Sequence, residues 1–133
     1  MAAAAGLVVY ALDPARVGAF YEQAAGLVVT GSTEERVVLE AGAFQVVVVR
    51  VPAEIAADIE VTEPPQRRED TALKPAFSVG DLAAARAAAA RTGGVLDPPE
   101  REWRWQGWTV CDGHDPEGNV VQLRTERPPG DPH

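Results

Sequence analysis

The segment from Asp13 to Gly26 is answered by a second from Asp81 to Gly94, and this repetition constrains the fold more than any other feature of the chain. Both segments open on aspartate and close on glycine 13 residues later, and they lie 68 positions apart. An aspartate before a helix accepts the first free backbone N–H groups, and Pro14 takes the first helical position, where its missing N–H costs nothing. Val17, Phe20, Tyr21 and Ala24 recur at helical spacing and give the first segment one apolar face. The alanine-rich run 82–91 has high helix propensity, and Gly26 and Gly93-Gly94 provide the stops. An apolar run precedes each helix, 7–12 in one case and 75–79 in the other. The chain therefore reads as one strand-helix unit used twice.

Each helix gives way to strand-like sequence. Residues 27–30, 36–40 and 44–51 form three β-runs in the first half, with Gly31 and Gly42 at the turns. In the second half the runs are 95–96, 102–105, 108–111 and 119–124, with a break at Pro98-Pro99. Between the halves, Pro52, Pro64, Pro65 and the charged run Arg67-Arg68-Glu69-Asp70 mark a connector, in which 53–59 can make a helical turn. The expected organisation is a first module over 1–52, a linker over 53–73 and a second module over 74–126. A disordered tail is expected over 127–133, and the two modules are expected to share one domain.

Composition excludes several classes of function. A net charge of −8 disfavours nucleic acid or an anionic membrane as partner; it suits solubility and is compatible with a cationic small ligand. One cysteine cannot form an internal disulfide. The apolar start lacks a basic flank and is cut short by Asp13-Pro14, so it reads as neither signal peptide nor membrane span, and a cytoplasmic location is expected. Glycine-rich phosphate loops and nucleophile elbows are absent from the sequence.

The turn Asp115-Pro116-Glu117-Gly118-Asn119, with Val120-Val121-Gln122-Leu123 after it, resembles the last turn and strand of the vicinal oxygen chelate superfamily, which includes glyoxalases, bleomycin-resistance proteins and ring-cleaving dioxygenases. Leu12-Asp13-Pro14, Ala19-Phe20-Tyr21-Glu22 and Gly26-Leu27 resemble the opening of that family's first module. Phe77-Ser78-Val79 with Asp81 resembles the opening of its second. The resemblance implies an α+β fold of two tandem βαβββ modules, forming a curled mixed sheet around a central cleft. It also implies a homodimer. Metal-using members place a His, Glu or Gln ligand on the first and fourth strands of each module. Those positions fall here on Gly6, a valine within 46–48, Lys74 and Gln122.

Only Gln122 of these could coordinate directly, because glycine and valine carry no donor atom and an ammonium has no lone pair. An ammonium about 4 Å from a divalent ion costs roughly 8 kcal/mol at an effective dielectric of about 20. The expectation is thus no cofactor, with a divalent metal on unconventional ligands, His114 or Gln122 among them, as the alternative. Lys74 is a candidate anchor for an anion or carbonyl, or a catalytic base or Schiff-base amine, against a solvated strand end. Trp103, Trp105 and Trp108 could wall a flat ligand, against core or interface packing. Arg50 shares parity with Val46 and Val48 and is a candidate for the first half of the cleft. Cys111, Asp112, His114 and Asp115 read as turn chemistry rather than a metal or nucleophile site.

Three functions are compatible with these residues. The first is a small-molecule binding protein of the bleomycin-resistance type, holding its ligand in the cleft between the modules with Lys74, Gln122, Arg50 and the tryptophans and without a metal. The second is a glyoxalase- or dioxygenase-related lyase, isomerase or oxidoreductase, working through an unconventional metal or through Lys74. The third is a dimeric partner module with no ligand and a filled groove.

Overall fold

The computed structural model describes residues 3–126; the tail expected to be disordered, 127–133, lies outside them. The first half contains β1 (Ala5–Ala11), α1 (Pro14–Gln23), β2 (Val28–Ser32), β3 (Arg36–Ala41) and β4 (Phe44–Arg50). A short helix α2 (Ala53–Ala56) opens the connector. The second half contains β5 (Ala76–Ser78), α3 (Leu82–Arg91), β6 (Val95–Leu96), a 3-10 turn (Pro99–Arg101), β7 (Trp103–Trp105), β8 (Trp108–His114) and β9 (Val120–Glu126). Both helix starts form as the sequence requires: Asp13 accepts from Arg16 N, and Asp81 from Ala83 N and Ala84 N.

The strands form two mixed, unclosed sheets, one from each βαβββ module. The first has the order β1-β4-β3-β2, and the second β5-β9-β8-β6 with β7 also on β8. In each sheet the module's first strand runs parallel to its last and every other pairing is antiparallel. Val8, which pairs with Val47, is answered 68 residues on by Ala76, which pairs with Gln122; the last strands are offset by 75.

Alternation along the strands separates two faces. Val9, Ala11, Val37, Leu39, Val46, Val48, Phe77, Cys111, Val121 and Leu123 face the helices and are buried. The α1 stripe of Val17, Phe20, Tyr21 and Ala24 closes on them, and the two halves share one core. An edge-to-face chain of rings, Phe20–Tyr21–Phe77–Phe44, crosses between the halves at centroid separations of 5.2, 5.8 and 6.0 Å. Burial pushes the Cys111 thiol up, against the opposing pull of Arg86. No helix among the described residues is long and apolar enough to cross a membrane.

The turn between β8 and β9 joins the halves. Asp115, fully buried, accepts from Glu117 N, Asn119 N, Asn119 Nδ2 and, across the halves, the Tyr21 hydroxyl at 2.9 Å. Burial first, then the charge and hydrogen bond of Asp115, push the Tyr21 phenol well above its ordinary value. Glu117 reaches over to the start of α1, where its two oxygens take the N–H groups of Leu12 and Asp13, both at 2.8 Å. Gly118 turns with φ +87°, and a side chain there would collide with the Gln66 carbonyl.

The close approach of Gln66 shows that the connector is tied down rather than loose. Arg68 N donates to the Gly118 carbonyl, and Arg67 makes a two-point ion pair with Asp97 at 2.6 and 3.2 Å. The run Cys111 to His114 belongs to β8, so the turn begins only at Asp115. Cross-strand pairing with β9 decides this, because Asp112 and His114 lie opposite Gln122 and Val120.

Candidate functional site

The face of the second sheet turned away from the helices carries most of the chain's unusual chemistry. Partners across a ladder share a face, so the register puts Gln122 beside Asp112 and Ala76. The same rule aligns Arg124, Val110 and Trp103 in one row, with Trp105 and Trp108 in the next. The β7–β8 hairpin makes this possible. Gln106 and Gly107 take φ of 46° and 82°, the left-handed pair of a two-residue hairpin, and Trp105 and Trp108 close it.

A hollow of about 300 Å³ opens on this face, lined by Lys74, Ala76, Trp103, Trp105, Val110, Gln122 and Arg124. Larger hollows lie under the connector, one of about 650 Å³ along 66–71 and one of about 340 Å³ between β1 and the connector. The first is walled by one stretch of connector, and the second is mainly aliphatic. Of the three, the smallest combines stacking surfaces with convergent cations.

Its floor is the buried Val110, and its walls are the indoles of Trp103 and Trp105, which are 40% and 49% exposed. Large aromatic surface left open in this way is available to a ligand. Arg124 lies against two rings, 5.8 Å from the Trp105 centroid and 5.3 Å from that of Trp108. Lys74 Nζ is 6.0 Å from the Trp103 centroid and donates to Asp112 Oδ2 at 2.8 Å. The other oxygen, Asp112 Oδ1, is buried and has no hydrogen-bond partner among the described residues.

The structure thus brings together Lys74, Gln122, Trp103 and Trp105, with Trp108 behind Arg124. Arg50 is not with them. It pairs with Ala11, on the helix-facing side with Val46 and Val48, and its guanidinium donates to the carbonyls of Leu12 and Glu34. Parity groups Arg50 correctly with Val46 and Val48, but that group lies on the face opposite to the one expected. His114 is buried, its Nδ1 lying 3.0 Å from the Asp115 carbonyl. Among the described residues no three His, Cys, Asp or Glu side chains converge as metal ligands would.

Arg124 joins the site without having been singled out from sequence, and Asp112 joins it from a group read there as turn chemistry. Arg124 was legible, being two residues beyond Gln122 on the same strand. Asp112 was hidden by the reading of its segment as a turn.

The strand register also places the positions equivalent to coordinating residues. The match of Val8↔Val47 to Ala76↔Gln122 selects Val47 from the three candidate valines. At Gly6 a Cβ would stand 2.8 Å from the Gln45 carbonyl oxygen, so β4 leaves no room for a side chain there.

A family model described as a glyoxalase-like domain matches residues 6–124. No curated protein sequence matches the chain at a significant level. Among solved structures, it is similar to a glyoxalase/bleomycin resistance protein/dioxygenase family enzyme from Burkholderia phytofirmans PsJN. That pair is 18% identical with a TM-score of 0.65, over 91% of this chain and 96% of that one. It is similar to a glyoxalase/bleomycin resistance protein from Albidiferax ferrireducens T118, 16% identical with a TM-score of 0.64, over 91% and 96% of the two chains. A genomically encoded fosfomycin resistance protein, FosX, from Listeria monocytogenes is 12% identical with a TM-score of 0.62, over 96% of each chain. At these identities the structural likeness shows the fold alone. With the family model spanning nearly the whole chain, the protein belongs to the glyoxalase-like domain family of the vicinal oxygen chelate superfamily.

Proposed function

We propose that the protein binds a small organic molecule in the hollow of its second module, in the manner of a bleomycin-resistance protein and without the metal other members use. One observation carries the reading: Lys74, Gln122, Trp103 and Trp105 line a single hollow. The residues at the family's coordinating positions do not fit a divalent ion. Gly6 and Val47 offer no donor, the Lys74 ammonium is held against Asp112, and Gln122 is left as a single neutral oxygen.

Intrinsic tryptophan fluorescence tests the proposal, because two of the three indoles wall the hollow. Titration with neutral and charged aromatic compounds is expected to quench and shift the emission, and Trp103→Phe with Trp105→Phe should remove most of the response. No change with any member of a broad panel would overturn it.

A second reading, an enzyme acting through Lys74, is favoured by the place of Lys74 on the hollow beside Asp112, whose buried Oδ1 has no hydrogen-bond partner among the described residues. Turnover of an aldehyde or α-keto substrate that is lost in Lys74→Met, with the fold intact, would establish it. Zinc, nickel, manganese or iron retained in stoichiometric amount through dialysis would revive a metal-dependent lyase, isomerase or oxidoreductase. We extend the proposal to a homodimer, supported by the exposed Val8, Tyr10 and Val28 of the first sheet; light scattering at micromolar concentration checks it.

A further inference from the structure

The charge of the hollow runs against the charge of the chain. The protein carries a net −8, yet the side chains lining the hollow include two cations, Lys74 and Arg124, and no acid. Asp112 lies beneath Lys74 and offsets that one charge. Arg124 has no carboxylate within 4.0 Å among the described residues; it rests against the faces of Trp105 and Trp108. Glu126 lies further along the same strand face, opposite Trp108, but is exposed and does not line the hollow.

The guanidinium lies over the two indoles, and none of its N–H donors bonds to another side chain or carbonyl among the described residues. Those donors match the two oxygens of a carboxylate. The indoles of Trp103 and Trp105 offer π-surface next to them, and the Gln122 amide adds a neutral donor. Lining of this kind repels a second cation, so the cationic ligand suggested by the whole-chain charge does not suit it.

From this we infer that the ligand is a flat organic monoanion, an aromatic or conjugated carboxylate, with its ring on Trp103 and Trp105 and its carboxylate on Arg124. The inference rests on the hollow being the ligand site, and it adds the charge class and the anchoring residue. Gln122 and the Lys74 ammonium complete the polar rim. The Lys74–Asp112 pair holds the ammonium at the edge of the hollow.

Three probes of the same shape separate the inference from the reading beneath it: trans-cinnamate, cinnamyl alcohol and cinnamylammonium. Each is titrated calorimetrically into the full-length protein and into Arg124→Gln and Arg124→Lys, with circular dichroism melts confirming that the variants fold. Cinnamate is expected to bind about ten-fold tighter than the alcohol, with the ammonium weakest. Arg124→Gln should weaken cinnamate more than the alcohol and bring the two within about three-fold of each other. Arg124→Lys should keep the preference for the acid in part.

If the ammonium or the alcohol binds as tightly as cinnamate, the inference fails and the hollow remains a ligand site. If none of the three binds, the site itself is wrong and the inference falls with it. Should Arg124→Gln fail to fold, wild-type cinnamate affinity measured at rising salt decides the matter. Weakening specific to the acid supports the inference, and equal salt response for all three probes overturns it.

Discussion

The two modules repeat one architecture, apart from the additional strand β7 of the second, and differ in what they turn away from their helices. On the first sheet that face is Gly6, Val8, Tyr10, Val38, Gln45, Val47 and Val49, with charges on β3 alone, at Arg36 and Glu40. On the second, the equivalent strands and β8 carry Lys74, Gln122, Arg124 and Asp112, with a hairpin of tryptophans added at the far side. The helix-facing residues show no such divergence, since both sheets present small aliphatic and aromatic groups to one shared core. A duplicated fold can therefore keep its packing in both copies while only one of them gathers indoles, a lysine and an arginine around a hollow. Core positions must satisfy close packing in either copy, whereas the outer face is free of that constraint.

That contrast can be attacked at the seam and at equivalent positions. The largest loss is expected from Asp115→Ala, which strands four donors, one of them on the opposite module. Urea unfolding should show about 3–5 kcal/mol less stability. Glu117→Gln retains the shape but faces one of two backbone N–H groups with an amide NH₂, and should cost about 2–3 kcal/mol in the same assay.

Tyr21→Phe should cost about 1–2 kcal/mol by removing the hydroxyl from Asp115. It also has a pH signature. The unfolded chain releases the phenolic proton near pH 10, while the folded protein keeps it beyond that, so this contribution is whole below pH 10 and falls as pH rises through the folded value. Melting temperatures taken from about pH 9 to about pH 11.5 should fall more steeply in the wild type than in Tyr21→Phe.

The smallest effects compare two positions 68 apart. Gly6→Ala drives a Cβ against the β4 backbone and should cost about 1–2 kcal/mol. Lys74→Met, at the matching place in the second module, removes only a partly exposed ion pair and should change stability by less than about 1 kcal/mol. Equal losses at both would show that the two copies are under the same packing constraint there.

Much of the fold was legible because its signals are local. Asp13 and Asp81 cap helices through contacts with the next three residues, and Val17, Phe20, Tyr21 and Ala24 display their burial as a periodicity. The shared face of Trp103 and Trp105 came from strand alternation, and Lys74 and Gln122 came together because a family pattern fixed their registers. Alternation cannot supply the sign of a face. Arg50 groups correctly with Val46 and Val48, but only tertiary packing says that this group looks toward α1. The connector was unreadable for a related reason. Arg67 and Arg68 look like solvated charges until Asp97 and the carbonyls of Glu117 and Gly118 are brought beneath them from later in the chain.

The grip of Glu117 on Leu12 and Asp13 spans 105 and 104 positions. During synthesis the N-terminal helix leaves the ribosome long before the carboxylate that fastens its first turn exists. The nascent chain must carry that helix unfastened until the turn before β9 has emerged. A chain cut short before Glu117 would lack that fastening, so a turn of the second module decides whether the first helix is held.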